Sequence, residues 1–171
     1  LDRLNLDRLP TPEFSLDKEK WPQTWRGYLA GVGGMGIGTA TAVLVMAAKK
    51  EGWRALFCDK KGLAIRNGGV YSMLTFTRPD APYTSNVIPY GKADVILGVD
   101  LLEALRALDP KSFQRIGSQD RTSIIVNSHR TPTILQLLGQ EEWNFEAIEN
   151  QLKDWAQPGQ YFSADVSQVS E

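Results

Sequence analysis

The feature that most constrains the fold is the glycine-rich hexapeptide Gly31–Gly36, which reads GVGGMG. It follows a short apolar run, Tyr28–Val32, and precedes an alanine-rich segment, Ile37–Lys50, that is closed by a Glu-Gly pair. Glycines let backbone N–H groups approach a phosphate, and the start of a helix favours an anion. The hexapeptide therefore predicts a strand, a turn and a helix that bind a phosphate or diphosphate. A glycine turn that serves packing alone is the alternative.

The rest of the chain alternates between apolar strand patterns and helical patterns. Asp100 is predicted to cap one helix, with Glu103 at the position that a capping box requires. The predicted strands are Arg54–Cys58, Val70–Thr77, Ala93–Val99 and Thr122–Val126, and the last helix covers Phe145–Trp155. Such alternation predicts an α/β fold, a Rossmann-like three-layer α/β/α arrangement with a mostly parallel sheet and helices on both faces.

The same pattern suggests three parts of the chain. Residues 1–26 carry three prolines and no sustained period, and are interpreted as an N-terminal arm or linker. Residues 27–135 form the predicted core, and residues 136–171 a C-terminal helix and polar tail that pack on the core or leave it. Because the chain begins at Leu1, we expect a piece of a longer polypeptide or a processed product.

Ligands of an open α/β sheet bind outside the carboxyl ends of its strands, and several polar residues follow predicted strands here. Asp59, at the end of the second strand, lies where an acid would hold an NAD ribose, although a solvated acid or helix cap is the alternative. Two lysines follow at once, at positions 60 and 61, and the link to the next strand is short. Both features disfavour a role for Asp59 in binding a ribose. The predicted cofactor-binding residues are Gly31, Gly33, Gly34, Met35, Gly36, Arg66, Asn67, Gly68, Gly69 and Asn127.

Composition excludes several classes of function. The chain has one cysteine, Cys58, and one histidine, His129, so it cannot hold an iron–sulfur cluster or a Cys- or His-rich metal site alone. The formal net charge of −1 gives no basic excess for nucleic acid. The uncharged stretch Gly27–Ala48 is better explained by a strand, a turn and a buried helix than by a membrane span. No catalytic or metal-binding residue is predicted, and low cysteine use suits the cytoplasm.

Several motifs in chain order resemble one family. They are Gly31–Gly36, Gly62–Ala64, Gly68–Ser72, Ala93–Asp100, Asp120–Thr122, Val126–Asn127 and Thr131–Thr133. Together they resemble the gamma-type domain of the 2-oxoacid:ferredoxin oxidoreductases, the pyruvate/indolepyruvate ferredoxin oxidoreductase family. The Asp-Arg-Thr and Thr-Pro-Thr elements are most similar to the indolepyruvate branch. The resemblance covers about residues 28–133.

The resemblance implies part of an enzyme that converts a 2-oxoacid and coenzyme A to an acyl-CoA and carbon dioxide and passes electrons to ferredoxin. It implies coenzyme A as a co-substrate associated with this domain. Thiamine diphosphate and iron–sulfur clusters would lie on partner domains or subunits, and a homodimer is possible. The chain alone would be inactive. A free-standing NAD(P)- or FAD-dependent Rossmann oxidoreductase remains the alternative function.

The sequence departs from the family pattern near the predicted site. Indolepyruvate-type members commonly read Gly-Leu-Ala-Gln-Lys/Arg-Gly-Gly, whereas here Ile65 replaces the glutamine and Asn67 looks like an added residue. Met35 occupies a position that is often polar, and Met73 stands where histidine is frequent. These changes bear on which 2-oxoacid and which coenzyme the domain accepts.

Overall fold

A computed structural model of the chain describes residues 21–60, 69–109, 115–130, 132 and 134–166. These residues form a six-stranded sheet in the order β2-β3-β1-β4-β5-β6. The strands are β1 (Thr24–Val32), β2 (Arg54–Lys60), β3 (Gly69–Thr77), β4 (Val95–Gly98), β5 (Ser123–Asn127) and β6 (Tyr161–Ala164). Strand β1 begins inside the predicted arm, and β6 lies in the segment that was predicted to be a polar tail. Residues 1–20 and 167–171 lie outside the described residues.

Strand direction follows from the lengths of the connections. Strands β1, β4, β5 and β6 are mutually parallel, whereas β3 is antiparallel to both β1 and β2. Only residues 61–68 separate β2 from β3, and a parallel crossover with its own helix needs about 10–12 residues or more. Strand β3 therefore folds back on β2. The predicted α/β fold with a mostly parallel sheet is confirmed, with β3 as the reversed strand.

The described residues contain four helices, and the longest has the predicted bounds. They are α1 (Ile37–Lys50), α2 (Leu101–Arg106), α3 (Ile134–Leu137) and α4 (Phe145–Trp155). The Asp100 carboxylate accepts the Glu103 backbone N–H at 3.0 Å, as the capping pattern predicted. Asn144 caps α4 in the same way, accepting the Ala147 N–H at 3.0 Å.

Helices cover both faces of the sheet. Along β1, Tyr28 and Ala30 face a core that includes residues of α2 and α4, while Leu29 faces a second core with α1. Alternate side chains of a strand point to opposite faces, so one buried strand contributes to both cores. The result is the three-layer arrangement that the sequence predicted.

Two family motifs meet at the amino ends of the central strands. Asp94 accepts the Arg26 backbone N–H and the Arg121 Nε–H, both at 2.7 Å. Thr122 is fully buried; its hydroxyl donates to the Ala93 carbonyl at 2.8 Å and accepts from Ser118 N at 2.9 Å. The Ala-Asp and Asp-Arg-Thr motifs thus join β1, β4 and β5 at the end of the sheet opposite the glycine turn.

We expect Asp94→Ala to lower the free energy of unfolding by about 2 kcal/mol, because hydrogen bonds to a charged group typically contribute 1.5–3 kcal/mol each and the Arg121 partner is partly solvated. Urea unfolding measures this loss. Arg121→Ala should lower the free energy of unfolding by less than Asp94→Ala does. Because the two side chains form one ion pair, the double variant should lose less stability than the sum of the two single losses. Full additivity would show that the two side chains do not interact.

Candidate functional site

A cleft of about 320 Å³ opens at the carboxyl end of β1, where the glycine turn enters α1. We call it the glycine cleft. It is lined by Val32, Gly33, Gly34, Gly36, Ile37, Gly38, Thr39, Asp59, Lys60, Val70 and Tyr71. The ends of β1, β2 and β3 therefore contribute to one concave surface.

The glycine turn leaves the start of α1 open to an anion. Gly34 and Gly36 have φ angles of 99° and 78°, a left-handed conformation that side chains with a Cβ rarely adopt. Gly36 is the N-cap of α1; no side chain caps this end, and the first turn contains no acidic residue. Uncapped N–H groups and the positive end of the helix dipole favour a phosphate at this point.

Two of the predicted residues support the turn instead of lining the cleft. A Cβ at Gly31 would lie 3.0 Å from Ile37 Cδ1 and 3.5 Å from Val99 Cβ, so this glycine allows α1 to pack closely on β1. The Met35 sulfur accepts the Val32 backbone N–H at 3.5 Å. Gly33, Gly34 and Gly36 are the predicted cofactor-binding residues of the motif that line the cleft.

The opposite wall of the cleft carries charge. Asp59 accepts a hydrogen bond from the Ser72 hydroxyl at 2.5 Å across the β2–β3 pair. The Lys60 ammonium lies 5.7 Å from the centroid of the Tyr71 ring, which stacks on Tyr28 with 5.2 Å between centroids. The sequence did not single out Ser72 or Tyr71 as site residues, because their position depends on β3 pairing with β2.

Gly69 lies beside a partly buried carboxylate. A Cβ at Gly69 would collide with the carboxylate of Glu103, which also forms an ion pair with Arg106 at 2.7 Å. Burial raises the pKa of Glu103; Arg106 opposes this rise, Asp100 adds to it and Lys60 opposes it. Burial also raises the pKa of Tyr28, with smaller contributions from Tyr71 and Glu103. A side chain at position 69 would therefore displace the Glu103 carboxylate from its present place.

Among the other predicted residues that the structure describes, Asn127 does not line the glycine cleft. Asn127 lies at the end of β5, where its side-chain oxygen accepts from His129 N at 3.1 Å and Val166 N at 3.2 Å. Its amide nitrogen donates to the Val99 carbonyl at 3.4 Å. Asn127 thus ties β4 and the chain after β6 together. Arg66, Asn67 and Gly68 lie outside the described residues.

Other sites are not found in the part of the chain that the structure describes. Within it, no three His, Cys, Asp or Glu side chains come together as a metal site. None of its helices has the length and apolar character needed to cross a membrane. Cys58, the one cysteine in the sequence, is half-buried.

Residues 27–166 match the sequence profile of the pyruvate ferredoxin/flavodoxin oxidoreductase family. The chain belongs to this family. The match begins at the predicted start of the core and includes the glycine turn, α4 and β6. The family resemblance that the motifs predicted is therefore confirmed.

Curated relatives of this oxidoreductase family agree with the indolepyruvate branch. The chain is 40% identical to the indolepyruvate oxidoreductase subunit IorB of Pyrococcus horikoshii over 81 residues. These residues cover 47% of this chain and 39% of that protein. It is 33% identical over 107 residues to IorB of Methanothermobacter thermautotrophicus, 61% of this chain and 52% of that protein. The chain thus spans about half, or less, of these relatives.

Two solved structures share the fold of this family member. Pyruvate oxidoreductase subunit PORC of Thermotoga maritima matches with a TM-score of 0.53 at 16% identity, over 87% of this chain and 66% of that chain. The 2-oxoglutarate:ferredoxin oxidoreductase of Magnetococcus marinus matches with a TM-score of 0.53 at 14% identity, over 88% of this chain but 21% of that one. In the second protein the fold is a small part of a much longer chain.

Proposed function

We propose that this chain is the coenzyme A-binding, noncatalytic unit of a 2-oxoacid:ferredoxin oxidoreductase of the indolepyruvate type. The observation that carries the proposal is the glycine cleft, an uncapped helix N-terminus with two left-handed glycines in a chain of this family. The complete enzyme would oxidatively decarboxylate an aryl-pyruvate-like 2-oxoacid to an acyl-CoA. Partner subunits or domains would carry thiamine diphosphate and the iron–sulfur clusters, and ferredoxin would accept the electrons.

The residues of the cleft fit a phosphorylated coenzyme. Gly36, Ile37 and Gly38 line the cleft at the uncapped start of α1, where the first backbone N–H groups of a helix can donate to a phosphate, and Lys60 adds a cation on the opposite wall. Asp59 can accept a hydrogen bond from a hydroxyl of the ligand while Ser72 holds its carboxylate in place. A solved relative, the Magnetococcus marinus enzyme, has coenzyme A and succinyl-CoA bound, which supports coenzyme A as the ligand class.

The cysteine content of the chain indicates which cofactors other parts of the enzyme would carry. An iron–sulfur cluster needs several cysteine ligands and this sequence has one, so the clusters would be bound by other polypeptides or domains. Bound thiamine diphosphate would supply the carbon chemistry of decarboxylation on a partner. This chain would bind the coenzyme, orient it and leave its reactive end free to reach that partner.

One observation favours a second candidate, a free-standing NAD(P)- or FAD-dependent oxidoreductase. Asp59 lines the same cleft as the glycine turn, as an acid that binds a ribose would. In a dinucleotide fold, however, the strand that carries this acid is next to β1, whereas here β3 lies between β1 and β2. The strand order therefore favours the hypothesis that the cleft binds coenzyme A over the hypothesis that it binds a dinucleotide.

A thermal-shift panel with coenzyme A, NAD, NADP, FAD and thiamine diphosphate separates the two candidates. A ligand at about 100 times its dissociation constant stabilises by about 2.7 kcal/mol, which raises the melting temperature of a domain of this size by roughly 5–10 °C. We expect such a shift with coenzyme A. A shift with NAD, NADP or FAD and none with coenzyme A would establish the alternative instead.

A further inference from the structure

A second cavity, of about 370 Å³, lies at the opposite end of α1 from the glycine cleft. We call it the tryptophan cavity, because three of the five tryptophans in the sequence line it. The four aromatic residues in its lining are Trp21, Trp25, Trp53 and Phe76. Binding sites for small molecules are typically concave, mostly apolar and about 300–1,000 Å³ in volume. The tryptophan cavity therefore has the size and composition of a small-molecule site.

The four rings of the tryptophan cavity form two pairs. Trp25 of β1 and Phe76 of β3 are register partners, and their stacked rings have centroids 5.2 Å apart. The indole of Trp25 lies over Gly27, where a Cβ would collide with it. Trp21 and Trp53 form the second pair, with centroids 5.6 Å apart and 31° between the ring planes. Two aromatic pairs from different segments of the chain therefore contribute to the walls.

Backbone groups hold the second pair in place. The Trp53 N–H donates to the Ala48 carbonyl at 2.9 Å, which ties this tryptophan to the end of α1. The Trp21 carbonyl accepts from the Arg78 guanidinium at 2.9 Å, and the Arg78 N–H donates to the Gln23 carbonyl at 3.0 Å. All four rings of the cavity are nevertheless only half-buried. Because burying apolar surface is favourable, a preformed cavity with partly exposed aromatic walls favours uptake of an apolar ligand.

The charge around the tryptophan cavity restricts the ligand further. Of the described residues that line it, Glu51 is the one with a charged side chain, and it lies at the carboxyl end of α1, where the helix dipole is negative. The carboxylate and the dipole both oppose an anion. A cation would have to give up its water to a lining that is otherwise apolar. The lining therefore suits an uncharged aromatic ligand.

We propose that the tryptophan cavity binds a small uncharged aromatic molecule of two or three rings. Such a molecule packs against the indole rings and excludes water from Leu44 and Ala47 of α1, which also line the cavity. Helix α1 has 14 residues and a helix rises about 1.5 Å per residue, so this site lies roughly 20 Å from the glycine cleft. The two cavities share no lining residue, so this ligand does not depend on the proposed binding of coenzyme A.

Fluorescence titration of the full chain tests the ligand class with two probes that share one ring system. N-phenyl-1-naphthylamine is uncharged, whereas 1-anilinonaphthalene-8-sulfonate is the same molecule with a sulfonate added. We expect the uncharged probe to bind at one site per chain. Its dissociation constant should be at least about tenfold lower than that of the sulfonate, because the sulfonate would lose its water on entering the cavity. Absence of saturable binding of the uncharged probe, or equal affinity of the two probes, would overturn the proposal.

A variant that fills the tryptophan cavity locates the site. Ala47→Phe adds a ring at an exposed position of α1 that lines the cavity, and Ala42→Phe adds the same ring at an exposed position of α1 outside the lining. We expect Ala47→Phe to weaken binding of N-phenyl-1-naphthylamine by at least about tenfold, since the added ring takes the space of the ligand. Ala42→Phe should leave binding unchanged. Equal binding by the two folded variants would contradict the assigned site.

Nuclear magnetic resonance locates the probe without a substitution in the cavity. Isotope labelling of tryptophan gives one indole N–H signal for each of the five tryptophans. We expect N-phenyl-1-naphthylamine to shift the signals of Trp21, Trp25 and Trp53, which line the cavity. The signals of Trp143 and Trp155 should stay in place. Shifts confined to Trp143 and Trp155 would place the probe elsewhere and overturn the proposal.

Discussion

Gly36→Val is expected to abolish the stabilisation of this protein by coenzyme A. Gly36 has φ 78° and caps the start of α1, so its replacement forces a branched residue into a left-handed conformation. Gly36 also lines the glycine cleft, so the new side chain would occupy space at the uncapped start of α1. We expect the thermal shift of about 2.7 kcal/mol at saturating coenzyme A to fall to a small fraction.

The strain of this substitution has to be separated from its effect on the cleft. Gly52 offers a matched control, because it follows the other end of α1 with φ 83° and open space around its Cβ position. Gly52→Val should therefore cost about the same in stability, of the order of 1–3 kcal/mol. It should keep the full response to coenzyme A.

Differential scanning fluorimetry of the two variants, with and without coenzyme A, measures both the melting temperature of the free protein and its shift on adding coenzyme A. The proposal requires similar melting temperatures without ligand and a shift in Gly52→Val only. A coenzyme A shift that survives in folded Gly36→Val would remove the glycine turn from the binding site. Loss of the shift in both variants would mean that helix α1 as a whole, and not the turn, determines binding.

Gly98→Ala is expected to destabilise the fold strongly, because the added methyl group has no room in the core of the sheet. The added Cβ would lie 2.6 Å from the Cβ of Ala104 and 3.1 Å from a methyl group of Val126. Ala104 is fully buried, and its Cβ is fixed to the backbone of α2, so it cannot rotate away. Overpacking of this kind costs about 1–3 kcal/mol. At this chain length that corresponds to a fall in melting temperature of roughly 3–10 °C.

A second substitution distinguishes this clash from a general loss of glycine flexibility. Ala104→Gly removes the opposing methyl group, at a cost of about 1 kcal/mol for glycine in a helix. In the Gly98→Ala background it should restore part of the lost stability, so that the two changes are strongly non-additive. Simple addition of the two losses, measured by urea unfolding, would show that the contact between β4 and α2 is not the cause.

The local parts of the fold could be predicted because their signals lie within a few residues. The glycine turn, the bounds of α1 and the cap formed by Asp100 each depend on neighbours in sequence, and all three are found as predicted. The motifs also predicted the family, which the match over residues 27–166 confirms. In these cases the residue types alone restrict the backbone or the packing.

Strand β6 was not predicted because four residues are too few to show an alternating apolar pattern. It is a four-residue edge strand in which three residues are exposed, and its backbone is held by pairing with β5. The structural role of Asn127 could not be predicted from the sequence either. Its position at a strand end suggested ligand binding, but its amide is used by contacts to His129 and to two residues that are distant in sequence, Val99 and Val166.

The sequence by itself determined the α/β class, the glycine turn at the start of α1 and membership of the oxidoreductase family. Only the tertiary structure decided that β3 lies between β1 and β2, which brings Asp59 and Ser72 together at the glycine cleft. It also decided that Trp25, Trp53 and Phe76 line one cavity. The physical reason is that turns and caps form from adjacent residues, whereas strand order and cavities depend on contacts between segments far apart in the chain.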